Sequence, residues 1–274
     1  MLYQMIVGAW PLALDPSDAA GCREFTERLS AWQLKAIREE KLETDWTTPN
    51  TSYEDTSRRF LFAVMEDQTG FLGEASSFAH RIGPAGAVNG LAQTLLKLTV
   101  PGVPDIYQGT EFWDLSLVDP DNRRPVNFST RMSALQDWLA PPELAATWRD
   151  GRVKQAMIAR ALDLRRRWPS LFARGSYEPL ELRGPRADNA IAFLRRDRKA
   201  ATLVLAPRLP GCLLPDGDSI VIPRHAWSGT VVQLPPATSL RLHDVFRDRW
   251  VELEEQAGVE HLIADFPVAL FGPD

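Results

Sequence analysis

Residues 100–128 read VPGVPDIYQGTEFWDLSLVDPDNRRPVNF. Residues 103–107 form a short apolar run that is bounded by Pro101-Gly102 and by Gly109. Such a run predicts a brief buried strand. Acidic, basic and aromatic side chains follow it at close intervals. A buried strand that opens into a long polar and aromatic loop is typical of the C-terminal face of a (β/α) barrel, where such loops build the active site.

The same stretch contains the pattern G-x-P-x-I-Y-x-G-x-E, at Gly102, Pro104, Ile106, Tyr107, Gly109 and Glu111. This pattern resembles the eighth barrel strand of the alpha-amylase superfamily of glycoside hydrolases. Residues 114–128, together with 2–12, 34–54 and 81–109, resemble one branch of it, the maltooligosyltrehalose synthases. These isomerases of trehalose biosynthesis convert the reducing-end α-1,4 link of a maltodextrin into the α,α-1,1 link of trehalose by intramolecular transglucosylation.

Composition narrows the class of protein. The chain has 274 residues, 45% hydrophobic and 24% charged, and a net charge of -5. Because Lys and Arg form no long run, a nucleic-acid partner is not expected. Cys22 and Cys212 have no metal-ligand spacing and suggest a reducing compartment. With no membrane-length apolar run and no signal peptide at the start, we expect a cytoplasmic protein with no membrane partner, metal or cofactor.

Helical periodicity dominates the first part of the chain. Residues 2–10 predict the tail of a helix, and Ser17 is the expected N-cap of a second helix that runs to about Lys41. Its charged side chains are interpreted as a solvated helix surface; they include Arg28, Lys35, Arg38 and Glu39.

A capping box of Thr51 and Glu54 predicts the next helix, and a turn is expected at 67–70. The buried stripe of that helix is predicted to contain Tyr53, Phe60, Leu61 and Val64. A helical stretch is then expected at 71–82, and a new helix at Gly83-Pro84, which buries an apolar face up to Thr99.

Shorter helices are expected at 132–139 and 153–168, and helical periodicity ends after Gly175. Short apolar runs then alternate with turn residues, which predicts an antiparallel β-sandwich. The runs are 177–182, 190–195, 202–207, 219–223, 230–234 and 261–272. We therefore predict an α+β chain, in which residues 1–172 are the mostly helical C-terminal part of a (β/α)8 barrel and residues 173–274 are a β-sandwich domain.

The carboxylates that the resemblance requires for catalysis are missing. The superfamily places a nucleophilic Asp after strand four, an acid Glu after strand five and a stabilising Asp in an HD motif after strand seven. No candidate for the first two is found, and the one His-Asp pair, His243-Asp244, lies in the β region. Because glycosyl transfer needs two such carboxyl groups, no catalytic residue is assigned, and the chain alone is expected to be inactive.

The resemblance implies substrate contacts in two segments. They are Lys41, Trp46, Asn50, Tyr107, Gln108, Glu111, Asp119, Asp121, Asn122, Arg123 and Arg124. Tyr107 and Gln108 would line the barrel mouth, and the charged residues after Val118 would bind sugar hydroxyls or position one another. Structural alternatives stay open at this point: Asn50 or Thr51 as a helix cap, Trp46 in packing, Lys41 as a solvated helix end, and the charged pairs as braces of the loop.

The expected partner is a maltodextrin in the intact enzyme. Self-association is also possible, because a lone barrel strand leaves unpaired edges and uncovered apolar helix faces. Two other functions remain open: a fragment of a different amylase-like hydrolase, and a non-catalytic module that binds glycans or another protein. Product analysis after complementation would separate the first, and maltodextrin titration of the isolated chain the second.

Overall fold

A computed structural model describes residues 1–66, 70–198, 200–236 and 239–273. Most of the turn expected at 67–70 therefore lies outside the described residues. The chain divides into two compact units. Unit 1 comprises Met1–Gly83 and Asp114–Val126, and unit 2 comprises Pro84–Trp113 and Asn127–Asp274.

Unit 1 is helical, with α1 (Leu2–Gly8), α2 (Ala19–Glu40), α3 (Thr51–Met65) and the start of α4 (Phe71–Thr99). The prediction of Ser17 as the N-cap of α2 is wrong. The Asp18 carboxylate accepts hydrogen bonds from the backbone N–H groups of Ala20 and Gly21, at 3.1 and 3.0 Å. Ser17 is one residue too early to reach these groups, and its hydroxyl donates to Asp15 instead.

The capping box predicted for α3 is also absent. Asn50 caps the helix by accepting a 3.2 Å hydrogen bond from the Tyr53 N–H, so the alternative reading of Asn50 as a cap is confirmed. Leu61 is buried as predicted, whereas Phe60 is 52% exposed. Met65 is buried where Phe60 was expected to be, because Met65 lies four residues after Leu61 and hence on the same helix face.

Apolar side chains from these helices form the core of unit 1. It includes Ile6, Trp10, Phe25, Leu29, Trp32, Leu61, Met65 and Leu117. Trp10 and Phe25 pack edge to face with ring centroids 5.6 Å apart. The Trp10 indole N–H donates to the backbone oxygen of Leu14 at 3.2 Å, so this buried polar group is satisfied. Leu117 ties the 114–126 segment to the helices.

Helix α4 continues through Pro84, where a new helix was expected. An interior proline costs about 3 kcal/mol, but Val88, Leu91, Leu95 and Leu98 are fully buried further along the helix. Each such side chain stabilises the fold by ~1.5–3 kcal/mol, so their burial outweighs the proline. Although α4 has 29 residues, no helix among the described residues is both long and apolar enough to cross a membrane.

The buried strand predicted at 103–107 is absent from the structure. Val103 is 96% exposed, and the chain turns at Tyr107, whose carbonyl accepts from the Thr110 N–H. The physical reason is the lack of a neighbour, since a parallel barrel strand exists only through hydrogen bonds to adjacent strands. All strand pairs in the described part of the chain are antiparallel and lie after Gly175.

Three helices follow in unit 2: α5 (Phe128–Gln136), α6 (Arg152–Arg167) and α7 (Pro169–Arg174), with a 3-10 segment at Pro141–Asp150. Helix α5 begins earlier than predicted, because the Asn127 side chain caps it by accepting from the Thr130 N–H at 3.1 Å. Gly151 has φ +82° at the start of α6, and an added Cβ would lie 2.8 Å from the Cβ of Phe112. Glycine is therefore required at this junction by both conformation and space.

Two antiparallel sheets occupy the rest of unit 2. One has the strand order β1-β3-β4-β9-β6-β7, and the other β2-β5-β8. The strands are β1 Ser176–Leu180, β2 Leu182–Arg183, β3 Ala190–Asp197, β4 Ala200–Pro207, β5 Val231–Gln233, β6 Leu240–Asp244, β7 Arg249–Leu253, β8 Gln256–Gly258 and β9 Ala269–Gly272. A short helix, α8 (Val259–Leu262), precedes β9.

Four of the six predicted runs contain strands at the expected places. The run at 219–223 forms none; Ile220 and Ile222 are fully buried there without ladder hydrogen bonds. The run at 261–272 begins in α8 and becomes a strand only at Ala269. Apolar composition identified which of these segments are buried, but not which of them pair as strands.

Arg195 on β3 is a buried cation at the ends of two helices. It is 1% exposed, and its guanidinium donates to backbone oxygens of Thr99, Phe172, Gly175 and Ser176 at 2.7–3.0 Å. Burial lowers the pKa of its guanidinium. The last carbonyls of a helix carry partial negative charge and have no partner within the helix, so Arg195 satisfies the C-terminal ends of α4 and α7 together.

Candidate functional site

The loop that follows α2, residues 41–50, is ordered by its own side chains. Lys41 ends the helix in the left-handed conformation, at φ 59°. The Asp45 carboxylate accepts hydrogen bonds from the Thr47 hydroxyl and from the backbone N–H groups of Thr47 and Thr48, at 2.6–2.7 Å. These hydrogen bonds lower the pKa of Asp45. An Asp side chain that accepts from N–H groups two and three residues ahead forms a turn that orders the loop through its own side chain.

Glu54 connects this loop to α2 and α3. The Arg38 guanidinium donates to both of its oxygens, at 2.8 and 2.7 Å, and the Thr44 hydroxyl donates to one of them at 2.6 Å. The same Thr44 oxygen accepts from the Asn50 backbone N–H at 2.9 Å. The hydrogen bonds from Arg38 and then Thr44 lower the pKa of Glu54 from 4.5 to about 2. Glu54 is thus ionised at neutral pH and bound on both oxygens.

Trp46 is presented to solvent by this braced loop. Its side chain is 55% exposed, and the Cζ atom of Arg38 lies 4.9 Å from the ring centroid. The packing alternative for Trp46 therefore accounts for part of the ring only. A rigidly supported, half-exposed indole is suited to stacking against the apolar C–H face of a sugar ring, because little side-chain entropy remains to be lost on binding.

The second polar segment of unit 1 is the 114–126 loop, and its buried centre is Asp121. Asp121 is 8% exposed. Arg28 donates to its two carboxylate oxygens at 2.9 and 3.0 Å, and the Leu117 N–H donates at 2.7 Å. Burial raises the pKa of Asp121, but the hydrogen bonds from Arg28 and Leu117 outweigh it and hold the pKa below its usual value. Asp121 therefore holds the loop on α2, and both of its carboxylate oxygens accept hydrogen bonds from the protein.

The outer side of this loop carries the remaining predicted residues. Asp119 is partly exposed and forms ion pairs with Lys35, at 3.4 Å, and with Arg123. Asn122, Arg123 and Arg124 are exposed. The Arg124 Nε–H donates to the Asp121 backbone oxygen at 3.1 Å. These groups position one another, which is one of the two alternatives that the sequence left open, and their contacts with sugar stay a prediction.

Three predicted site residues belong to unit 2. Tyr107 and Gln108 are exposed on the segment after Val103. Glu111 accepts from Arg131 at 3.3 Å, and the Arg131 guanidinium lies over the Phe112 ring at 4.8 Å. The ion pair of Glu111 and Arg131 braces the start of α5. The sequence-predicted residues thus form one group in unit 1 and a second, smaller one in unit 2.

Sequence reasoning missed the cations of α2. Arg28, Lys35 and Arg38 were interpreted as a solvated surface, and the structure corrects this. Each of them pairs with a carboxylate of a site loop or of α3, whereas Glu39 keeps a mainly solvated side chain. The available signal was their spacing, since Arg28 and Lys35 are seven residues apart and Lys35 and Arg38 are three apart, and both spacings keep side chains on one side of a helix.

Groups of three or more His, Cys, Asp or Glu side chains that could hold a metal ion are absent from the described ranges. His243 is half-buried, and its Nε2 lies 2.9 Å from an Asp248 oxygen. Of the two cysteines, Cys22 is buried and Cys212 is exposed.

No protein-family model matches the chain. A Mycobacterium tuberculosis protein named as a maltooligosyl trehalose synthase is 37% identical to it over 239 residues. That match covers 85% of this chain and 26% of the relative. The chain is homologous to a C-terminal portion of maltooligosyl trehalose synthase.

Two solved structures carry the same name. The maltooligosyltrehalose synthase of Arthrobacter ramosus aligns with all of this chain and 32% of its own, at 37% identity and a TM-score of 0.72. A hypothetical maltooligosyl trehalose synthase of Sulfolobus tokodaii aligns with 99% of this chain and 31% of its own, at 28% identity and a TM-score of 0.64. The chain thus spans about a quarter to a third of the length of these maltooligosyl trehalose synthases.

Proposed function

We propose that this chain works as the C-terminal part of a maltooligosyltrehalose synthase. In that enzyme the reducing-end α-1,4 link of a maltodextrin becomes the α,α-1,1 link of trehalose. The observation that carries the proposal is the 37% identity that extends over 239 residues and 85% of this chain, since so long a match is not confined to one short motif. Residues 1–172 would complete the catalytic barrel, residues 173–274 would form the β-sandwich domain, and the protein would act in the cytoplasm.

In this proposal the chain supplies substrate contacts and the rest of the enzyme supplies the reacting carboxylates. Trp46 would stack on a glucose ring, and Asn122 and Arg123 would donate hydrogen bonds to sugar hydroxyls. The Asp121–Arg28 and Glu54–Arg38 pairs would keep both loops in place, because a displaced loop loses the geometry that transfer requires. Exclusion of water from the closed site would favour transfer over hydrolysis.

A chimera tests this function directly. This chain would replace the corresponding C-terminal portion of the Arthrobacter ramosus relative, with maltopentaose as the substrate. We expect the number of reducing ends to fall while a terminal trehalose unit forms, and we expect the isolated chain to give no product. A rise in the number of reducing ends would identify a hydrolase. Sustained product from the isolated chain would show that the reacting carboxylates lie in this chain and not in the rest of the enzyme.

A matched pair of chimeras locates the contribution of the loop. W46A should raise the KM for maltopentaose about tenfold, the effect of losing ~1.4 kcal/mol of binding. W138A, which changes another exposed tryptophan of the chain, should leave the KM unchanged. Equal effects of both changes would show that Trp46 has no special role in substrate binding.

A further inference from the structure

The exposed tryptophan Trp250 lies in unit 2, on the hairpin of β6 and β7. His243 and Trp250 are direct cross-strand partners, and so are Arg241 and Glu252. Because side chains alternate between the two faces of a strand, these four side chains share one face. Leu242, Asp244 and Leu253 are buried on the other face. The hairpin thus presents one aromatic ring surrounded by polar groups.

The indole of Trp250 is held in place by its neighbours while nearly half of the residue stays exposed. It is 46% exposed. The Arg241 Cζ atom lies 4.8 Å from its ring centroid, and the His243 ring packs edge to face against it with centroids 5.5 Å apart. The His243 Nε2 in turn lies 2.9 Å from an Asp248 oxygen, which fixes the imidazole. β7 is the last strand in the order of its sheet, so this face lies at a sheet edge.

We propose that Trp250, with Arg241, His243 and Glu252, is a binding platform for α-1,4-glucan chains. The C–H face of a glucose ring stacks on the open side of the indole, as apolar surface does on aromatic rings. The Arg241 guanidinium and the Glu252 carboxylate on the same face of the hairpin form charge-assisted hydrogen bonds with sugar hydroxyls. The choice of an α-1,4-glucan rests on the proposed function, whereas the existence of a platform rests on the geometry of the hairpin.

The platform differs from another exposed tryptophan of the same unit. Trp138 also lies under an arginine, with the Arg160 Cζ at 5.1 Å from its ring centroid. Its exposed neighbours include Leu135 and Leu139, and it follows a helix instead of lying on a sheet face. Trp138 is therefore a matched control, since it has the same ring, similar exposure and the same type of cation–π contact.

The test uses calorimetric titration of the full chain with β-cyclodextrin, a cyclic α-1,4-glucan without a reducing end. We expect the wild type to bind, and W250A to raise the Kd about tenfold or more, which corresponds to ~1.4 kcal/mol. H243A should weaken binding by a smaller factor. W138A should bind as the wild type does, and circular dichroism should show the same folded content for all variants.

The outcomes separate this platform from the loop site. Loss of binding in W250A but not in W46A supports the platform. Loss in W46A alone overturns the platform and leaves the proposed function supported. Absence of β-cyclodextrin binding by the wild type also overturns the platform. Equal affinity of the wild type and W250A for β-cyclodextrin has the same consequence. The reducing-end assay with the chimera is independent of these results.

Discussion

Two arginines, one in each unit, occupy sites away from water in different ways. Arg28 of unit 1 donates to the carboxylate of Asp121 and to the Leu115 backbone oxygen. The hydrogen bonds of Arg195 in unit 2 go to backbone carbonyls, among them those of Thr99 and Phe172. The Arg28 pair depends on the ionisation of a partner, whereas Arg195 stabilises helix ends that do not titrate. Unit 1 should therefore respond to acid through its site loops, and the Arg195 cluster should not.

The largest expected effect is that of R195M. The change removes the donor from at least four backbone oxygens in a buried site, and each unsatisfied buried group costs ~1–3 kcal/mol. We expect the free energy of unfolding to fall by about 3 kcal/mol or more in urea denaturation.

The neighbouring Arg196 provides the control for this variant. It is partly exposed and pairs with Glu178 at 3.2 Å across the β1–β3 ladder. Exposed pairs of this kind contribute ~0–1 kcal/mol, so R196M should have a small effect. If R195M and R196M were equally stable, the hydrogen bonds from Arg195 to backbone carbonyls would contribute no more to stability than an exposed ion pair.

D121N should have the next largest effect. Asparagine offers one acceptor oxygen in place of two, so at least one of the three N–H donors from Arg28 and Leu117 is left without its partner. We expect the free energy of unfolding to fall by ~1–3 kcal/mol. D119N, which changes the more exposed carboxylate of the same loop, should cost less than about 1 kcal/mol. A larger loss in D119N than in D121N would reverse the assignment of Asp121 as the anchor of the loop.

The dependence on pH distinguishes the two kinds of arginine site. The folded-state pKa of Glu54 is about 2, below its usual 4.5. A carboxyl group with a depressed folded pKa contributes stability that is present above the unfolded pKa and is lost as the pH falls through the folded pKa. We expect this contribution to disappear between about pH 4.5 and 2, and E54Q to show a flatter pH profile in that window. R195M should keep the wild-type slope; a profile that R195M flattened as much as E54Q would contradict the comparison.

The smallest effect on stability is expected for W46A. Trp46 is half-exposed, and its cation–π contact with Arg38 contributes ~0.5–1 kcal/mol at such a site. The midpoint of thermal unfolding should therefore change little, although the KM of the chimera rises. A large drop in the midpoint would make Trp46 a packing residue, as the structural alternative has it.

Much of the helical part could be predicted from periodicity and local chemistry. Helix α2 ends at Glu40, as the predicted limit at Lys41 indicated, and the apolar face predicted up to Thr99 is buried in α4, at Val88, Leu91, Leu95 and Leu98. These features depend on neighbours three and four residues apart, which the sequence displays directly. The predicted boundary between residues 172 and 173 remains a prediction, since the compact units divide the chain at other positions.

The site was harder to predict, because its order depends on pairs that are distant in sequence. Trp46, Asp119 and Asp121 were identified through the resemblance, but their supports were not. Arg28 is 93 residues from Asp121, and Arg38 is 16 residues from Glu54. The spacing of Arg28, Lys35 and Arg38 places them on one side of α2, but it does not show which distant carboxylate each of them binds.

The sequence alone established the family resemblance, the helical periodicity and the apolar segments of the second half, because each of these depends on residues close together along the chain. Tertiary contacts determined that residues 103–107 form no strand, that Asp121 is buried while Asp119 is not, and that Trp46 and Trp250 are half-exposed on braced supports. The physical reason is that a strand needs a hydrogen-bonded neighbour, and burial of a charge needs a partner, and both come from elsewhere in the fold.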